Sequence, residues 1–210
     1  MRPKLLLATN NQGKVGEYRQ LLADIPFELV TPSEEGITTV VAETGETLEE
    51  NARLKATVLA AESHLLALAD DSGLEVDALD GAPGHLSARY AGANASDRDR
   101  VNFLLSRLKN VPREKRTARF RCVIAIATPQ GKVEFCYGER RGVITFEPKG
   151  KYGFGYDPIF YLPELDKTMA ELPPSVKNRV SHRAQAARQA AEILKKPPFA
   201  TLSTKKKTKK

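Results

Sequence analysis

Two carboxylates stand side by side in Ala69-Asp70-Asp71-Ser72-Gly73-Leu74, directly after the apolar run Leu65-Leu66-Ala67-Leu68-Ala69. Such a run reads as a buried strand, and strands of α/β sheets present ligand-binding groups where they end. Carboxylates in that place suit metal binding or acid/base chemistry. The same residues are also good turn chemistry, because Asp and Ser bond their own backbone and Gly supplies positive φ. Neighbouring side chains on a strand face opposite ways, so the two aspartates are not expected to work as a matched dyad.

Five further constellations carry chemistry-bearing groups. Thr9-Asn10-Asn11-Gln12-Gly13-Lys14 places a hydroxyl, amides, a glycine and a cation where a strand meets a helix N-terminus. Free N–H groups and the helix dipole favour an anion there, although the segment serves equally as a turn and cap. It is not a Walker A loop, since GxxxxGK[ST] is absent. In the helix that begins near Thr47, the residues Leu48, Asn51, Ala52, Lys55 and Leu59 share one face, so Asn51 and Lys55 fall on the apolar stripe. Buried polar groups need partners: either Lys55 is aimed at an anion, or it snorkels while Asn51 caps a loop.

Glu43, just before Thr44-Gly45, is either a metal-directed carboxylate or a complement to the helix dipole. Gly153-Phe154-Gly155-Tyr156-Asp157-Pro158 reads as a tight aromatic loop with Phe154 as a stacking face for a base, or as a glycine turn with core aromatics. Lys177 and Ser181-His182-Arg183 concentrate donors at the start of the last helix, where a cation is disfavoured unless an acceptor rewards it. His64 and His85 lack ligand spacing and read as structural or surface residues.

The elements that would position these groups alternate. A strand over Lys4 to Thr9 leads into a helix from Lys14 to Ala23; a second strand covers 27–30, and a long helix runs from Thr47 to Ser63. This alternation predicts an α/β fold. Leu74 to Ala78 reads as a short strand, Asp97 to Leu108 as a helix, and Val111 to Arg119 as an exposed basic connection. Phe120 to Ala127 and Lys132 to Tyr137 read as antiparallel partners around Pro129-Gln130-Gly131, with Gly142 to Phe146 as another strand, so the sheet should be mixed. A final helix is expected from Val180 to Leu194, ended by Pro197-Pro198.

With 210 residues, 41% of them hydrophobic and 28% charged, the chain has the composition of a soluble globular protein. No apolar stretch approaches the ~18 residues of a membrane span, and a cytoplasmic location is expected. Cys122 and Cys136 read as small buried hydrophobes without zinc-ligand spacing. Five of the seven net positive charges belong to the lysines after residue 204, leaving only +2 for the body, so no specific nucleic-acid partner is expected. Residues 1–199 are taken as a single domain and 200–210 as a disordered lysine-rich tail.

Seven motifs in order then carry a resemblance: Thr9-x-Asn11-x-x-Lys14, Glu43-Thr44-Gly45, Glu50-Asn51-Ala52-x-x-Lys55-Ala56, Ala69 to Leu74, Gly81-Ala82-Pro83-Gly84 with Ser87-Ala88-Arg89-Tyr90, Gly153 to Pro158, and Ser181-His182-Arg183. The chain resembles the inosine triphosphate pyrophosphatase family, which hydrolyses non-standard purine nucleoside triphosphates; Asn10 stands where many relatives carry Gly. The resemblance implies a two-lobed α/β fold with a long mixed sheet flanked by helices, a nucleotide in the cleft between lobes, a homodimer, and Mg²⁺-assisted cleavage to a nucleoside monophosphate and pyrophosphate. It implies Asp71 as general base and metal ligand and Glu43 as the second metal-side carboxylate. Thr9, Asn10, Asn11, Gln12, Gly13 and Lys14, with Ser72, would hold the phosphate and ribose, and Lys55 the phosphates. Phe154, Gly155, Tyr156, Asp157, Lys177, His182 and Arg183 match the base-binding positions. The alternatives are a related septum-inhibitor-type pyrophosphatase for pyrimidine or modified nucleotides, and a non-catalytic nucleotide- or RNA-binding module.

Overall fold

The computed structural model describes residues 2–196 and Phe199, so the expectations for Pro197-Pro198 and the lysine tail lie outside the described residues. In chain order, β1 (Lys4–Leu7), α1 (Gln12–Leu21), β2 (Glu28–Val30), α2 (Leu48–Ser63) and β3 (Leu66–Val76) come first. They are followed by β4 (Pro83–Gly84), α3 (Asp97–Arg107), β5 (Thr117–Ala127), β6 (Val133–Ile144), β7 (Phe160–Leu162), β8 (Lys167–Thr168), α4 (Pro174–Val180) and α5 (His182–Leu194). The strands pair in the order β2-β1-β3-β5-β6-β7-β8, with β4 on β3. β1 is parallel to both β2 and β3, whereas β3–β4, β6–β7 and β7–β8 are antiparallel. The fold is α/β with a mixed sheet, as the alternation of elements predicts. No helix among the described residues is long and apolar enough to cross a membrane.

The chain forms two compact units. The first comprises residues up to Asp71, Val123–Tyr137 and the chain from Gln185; the second comprises Ser72–Cys122 and Gly138–Ala184. In the first unit, small side chains bring helix and strands close: Ala52, Ala56, Leu59 and Ala60 of α2 pack with Leu6, Ala67, Ala69, Val123, Ala125 and Ala127. α2 starts sharply because Thr47 and Glu50 form a reciprocal capping box, and it ends at His64, whose left-handed φ of 57° serves the C-cap. Thr128 N–H donates to Lys132 O at 2.9 Å and closes the β5–β6 hairpin, with Cys122 and Cys136 buried.

The second unit packs Leu74, Val76, Leu104, Leu108, Phe120, Ile144, Phe160 and Met169 into its core. Between those inward residues, Glu75 receives Arg119 at 2.6 Å and Arg121 at 3.2 Å, so the alternation of a half-buried sheet is visible in β3 and β5. Gly73 lies so close to β4 that an added Cβ would stand 2.3 Å from Gly84 O.

Three local expectations are corrected. Asp70-Asp71-Ser72-Gly73 is not a turn after a strand: β3 runs unbroken through all four residues to Val76, pulling the expected short strand at Leu74 into the same element. Gly142 to Phe146 is likewise no separate strand, since β6 is continuous to Ile144. The last helix starts at His182, two residues later than expected, and a short helix that the sequence did not suggest, α4, precedes it; between them Ser181 has an extended backbone that caps α4 through its N–H to Lys177 O, and its Oγ accepts from Ala184 N–H at 3.1 Å to start α5.

The basic stretch 111–119 is also not wholly exposed, because Arg116 is only 2% accessible. Its guanidinium donates to Leu108 O at 2.6 Å, Val111 O at 2.9 Å and Thr145 O at 2.9 Å, and lies over the Phe146 ring at 3.9 Å. One side chain thus closes the end of α3 and ties it to the end of β6. Arg116→Met keeps the aliphatic stem but leaves three carbonyls without their donor, so stability is expected to fall by about 3 kcal/mol, roughly 1 per hydrogen bond. Urea unfolding measures this, and an unchanged midpoint would refute the tie.

Candidate active site

The first unit gathers five of the expected residues around two ammonium groups. Lys55 projects from the buried stripe of α2 and donates from Nζ to Glu43 Oε1 at 2.6 Å, Asp71 Oδ1 at 3.1 Å and the Asp70 carbonyl at 2.8 Å. Lys14, on the first turn of α1, pairs with Asp70 Oδ1 at 3.0 Å. The adjacent aspartates therefore divide between two lysines, as side chains on opposite faces of a strand must. Asp70, expected to support a turn, instead anchors Lys14 and lends its carbonyl to both lysines.

Glu43 reaches this cluster because its loop is gripped by α2. Asn51, fully buried, accepts from Gly45 N–H at 2.8 Å and donates to Gly45 O at 3.3 Å, with a longer contact to Asp71 Oδ2 at 3.4 Å. Asn51 caps a loop, as one of the two sequence readings has it, and it also touches the carboxylate. Glycine is required at 45, since a Cβ would stand 2.6 Å from Glu50 Cβ and 2.9 Å from Asn51 Oδ1. Lys55 does not snorkel, and Glu43 is engaged with it rather than only with the helix dipole.

Burial lifts the Asp71 carboxyl above the ordinary carboxylate range; Glu43 pushes the same way, while Lys55 and Lys14 oppose. Lys55 is held above its ordinary value: desolvation alone would lower it, but Asp71, Glu43 and Asp70 together outweigh that. The cluster carries three carboxylates against two ammonium groups, so a polyphosphate would meet net negative charge there without an added cation. Hard carboxylate oxygens are the donors Mg²⁺ prefers, and that ion takes one or two protein carboxylates together with phosphate and water. Glu43 and Asp71 fit that donor set.

Thr9 and Asn11 organise the loop before α1: Thr9 Oγ1 accepts from Asn11 N–H at 3.2 Å and Asn11 Oδ1 from Lys14 N–H at 3.1 Å. Asn10, Asn11, Gln12 and Gly13 are exposed at this helix N-terminus, while Thr9 and Lys14 are half-buried.

The second unit brings the other expected residues together. Asp157 and Lys177 form a buried pair at 2.5 Å, each 3% accessible, and Asp157 Oδ2 also accepts from Phe154 N–H at 2.9 Å. Lys177 Nζ lies 4.7 Å and Arg183 Cζ 5.4 Å from the Phe154 ring centre, both within cation–π range. Arg183 donates to Ser72 Oγ at 3.3 Å, which supplies an acceptor for the cation at this helix start. His182 is buried and stacked on Phe120 at 4.6 Å and 12°. Tyr156 turns inward, its hydroxyl donating to Ser87 O at 2.9 Å, and burial raises its phenol well above the ordinary value.

Two positions escaped the sequence reading. Asp97 accepts from Gly155 N–H at 2.7 Å, and Ser87 Oγ accepts from Leu74 N–H at 2.8 Å while donating to Gly84 O at 2.6 Å. The available signal for Asp97 was redundancy, because Ser96 and Asp99 already complete the capping box of α3.

The sequence profile of the Ham1 family matches residues 5–193. A dITP/XTP pyrophosphatase of Desulforamulus reducens is 52% identical over 191 residues, covering 91% of this chain and 95% of that protein. One from Bacillus subtilis is 44% identical over 189 residues, covering 90% and 96%. Among solved structures, a HAM1 protein from Coxiella burnetii superposes with a TM-score of 0.83 at 43% identity, covering 91% of this chain and 98% of that one. With the match running through nearly every element described above, this chain belongs to the Ham1 family.

Proposed function

We propose that the protein hydrolyses non-standard purine nucleoside triphosphates, ITP, dITP and XTP, to the nucleoside monophosphate and pyrophosphate. The observation that carries this reading is the shared ammonium of Lys55 between Glu43 and Asp71, in a chain whose relatives are named dITP/XTP pyrophosphatases. Asp71 is the general base: a carboxylate made more basic by burial takes the proton of a water that attacks the α-phosphorus. The bond from that phosphorus to the bridging oxygen breaks, and pyrophosphate leaves with its electron pair. Lys14, Lys55 and the loop Thr9 to Lys14 meet the phosphates and ribose, charge opposing charge at a helix N-terminus. Glu43 and Asp71 would hold Mg²⁺, which when bound supplies charge neutralisation to the phosphates.

Base selection falls to Phe154 to Asp157, Lys177, His182 and Arg183. Hypoxanthine and xanthine carry a 6-oxo acceptor where adenine carries an amine, so cationic donors beside an aromatic face reward the former. A homodimer and a cytoplasmic location complete the proposal on the strength of the family resemblance.

Pyrophosphate release from ITP and XTP with Mg²⁺ is expected to exceed that from ATP by at least a hundredfold in kcat/KM, and to exceed that from GTP, which shares the 6-oxo group and is set apart by its 2-amino group. Equal turnover of all four, a preference for pyrimidine triphosphates, or orthophosphate as the first product would overturn the assignment. Removing Mg²⁺ with chelator should abolish turnover and readdition restore it.

Asp71→Asn is expected to lower kcat by about 10² to 10⁴, the contribution of a positioned base. Because Asp71→Asn also takes a charged partner from Lys55, the quantity that reports the upward shift is the pH slope of stability. Folding penalises the ionised form, so in metal-free buffer the wild-type thermal midpoint should fall more steeply than that of Asp71→Asn as pH rises through and just above the ordinary carboxylate range. A wild-type slope no steeper than that of Asp71→Asn would contradict it.

A further inference from the structure

The loop Gly153–Pro158 is held by a carboxylate from outside it. Asp97 is the first residue of α3, and its Oδ2 accepts from Gly155 N–H at 2.7 Å. Its other oxygen is bound by Arg100 one turn on. Arg100 also donates to Ala88 O at 3.0 Å and Ala95 O at 2.6 Å, the two ends of the segment leading into α3. Helix capping does not account for Asp97, because Ser96 and Asp99 satisfy each other and the first turn: Asp99 N–H donates to Ser96 Oγ at 3.2 Å and Ser96 N–H to Asp99 Oδ2 at 2.9 Å. Asp97 is therefore free to serve the loop.

What it grips is one of the loop's two left-handed glycines. Gly153 and Gly155 both take left-handed φ values, 72° and 62°, and Phe154 lies between them. On the Gly153 side the backbone is already packed, since a Cβ there would stand 2.1 Å from Asp157 Oδ2, and Phe154 N–H is bonded to the same carboxylate. Around Gly155 nothing lies within 4 Å of an added Cβ, and its N–H is bonded by a side chain from outside the loop. Asp97 supplies that bond.

We infer that Asp97, with its rotamer fixed by Arg100, is a positioning residue that sets the presentation of Phe154 and thereby the discrimination among purines. The inference rests on reading this loop as the base-recognising element. Asp97 touches neither phosphate-side residues nor reacting atoms, so it acts on base affinity and leaves the chemical step alone.

The test compares wild type, Asp97→Ala, Asp97→Asn and Asp99→Ala in steady-state pyrophosphate release from ITP and ATP with Mg²⁺. Asp97→Ala should raise KM for ITP about tenfold at nearly constant kcat and narrow the ITP-over-ATP ratio by the same factor, the equivalent of one charge-assisted hydrogen bond. Asp97→Asn offers a single oxygen to two donors, Gly155 N–H and Arg100, and should recover only part of the loss. Asp99→Ala, which removes only the cap, should lower the thermal midpoint without moving the ratio. The inference is overturned if wild type prefers ITP and Asp97→Ala retains its KM and ratio, or if Asp99→Ala shifts the ratio equally. A wild type with no preference for ITP overturns the reading of the loop itself, and the inference with it.

Discussion

The first unit is organised around one ammonium group. Lys55 satisfies Glu43, Asp71 and the Asp70 carbonyl at once, and without it the carboxylates of Glu43 and Asp71 would repel one another in a largely buried space. The attraction is strong because burial lowers the local dielectric, and it is affordable only because every partner is satisfied. Other features follow from this need. The stripe of α2 must carry Lys55 and Asn51 among alanines, the loop before α2 must be glycine at 45, and β3 must stay extended through two aspartates.

Extension through Asp70-Asp71-Ser72-Gly73 is the point at which local reasoning fails. Each of these residues disfavours a strand, and together they make good turn chemistry. The decisive partners are distant in sequence: Lys14 for Asp70, Lys55 for Asp71, β4 for the backbone near Gly73. No window around residue 71 contains them. Arg116 is a parallel case, a cation in a polar stretch whose burial depends on carbonyls from the end of α3 and from Thr145.

Where the partners are local, the sequence was more informative. Thr47 and Glu50 announce the start of α2, Asn11 the start of α1, and the 3.6-residue period places Asn51 and Lys55 on the inward face. That placement made both residues conspicuous, because a buried amide and a buried cation need reasons. The start of the last helix at Ser181 was legible to within two residues, but the short α4 that the same serine ends was not. Asp97 stayed hidden because an acidic residue in a first helical turn already has an ordinary explanation.

The unbroken course of β3 also governs how this segment can change over time. A strand assigns side chains to faces by counting, so inserting or deleting one residue between Leu66 and Val76 would exchange the faces of everything beyond it. Asp70 and Asp71 would trade lysines, and Leu74 and Val76 would leave their core for the side now held by Glu75. The segment is thus closed to changes of length, and the separation between Asp71 and Ser72 is set by the pleat of a single strand.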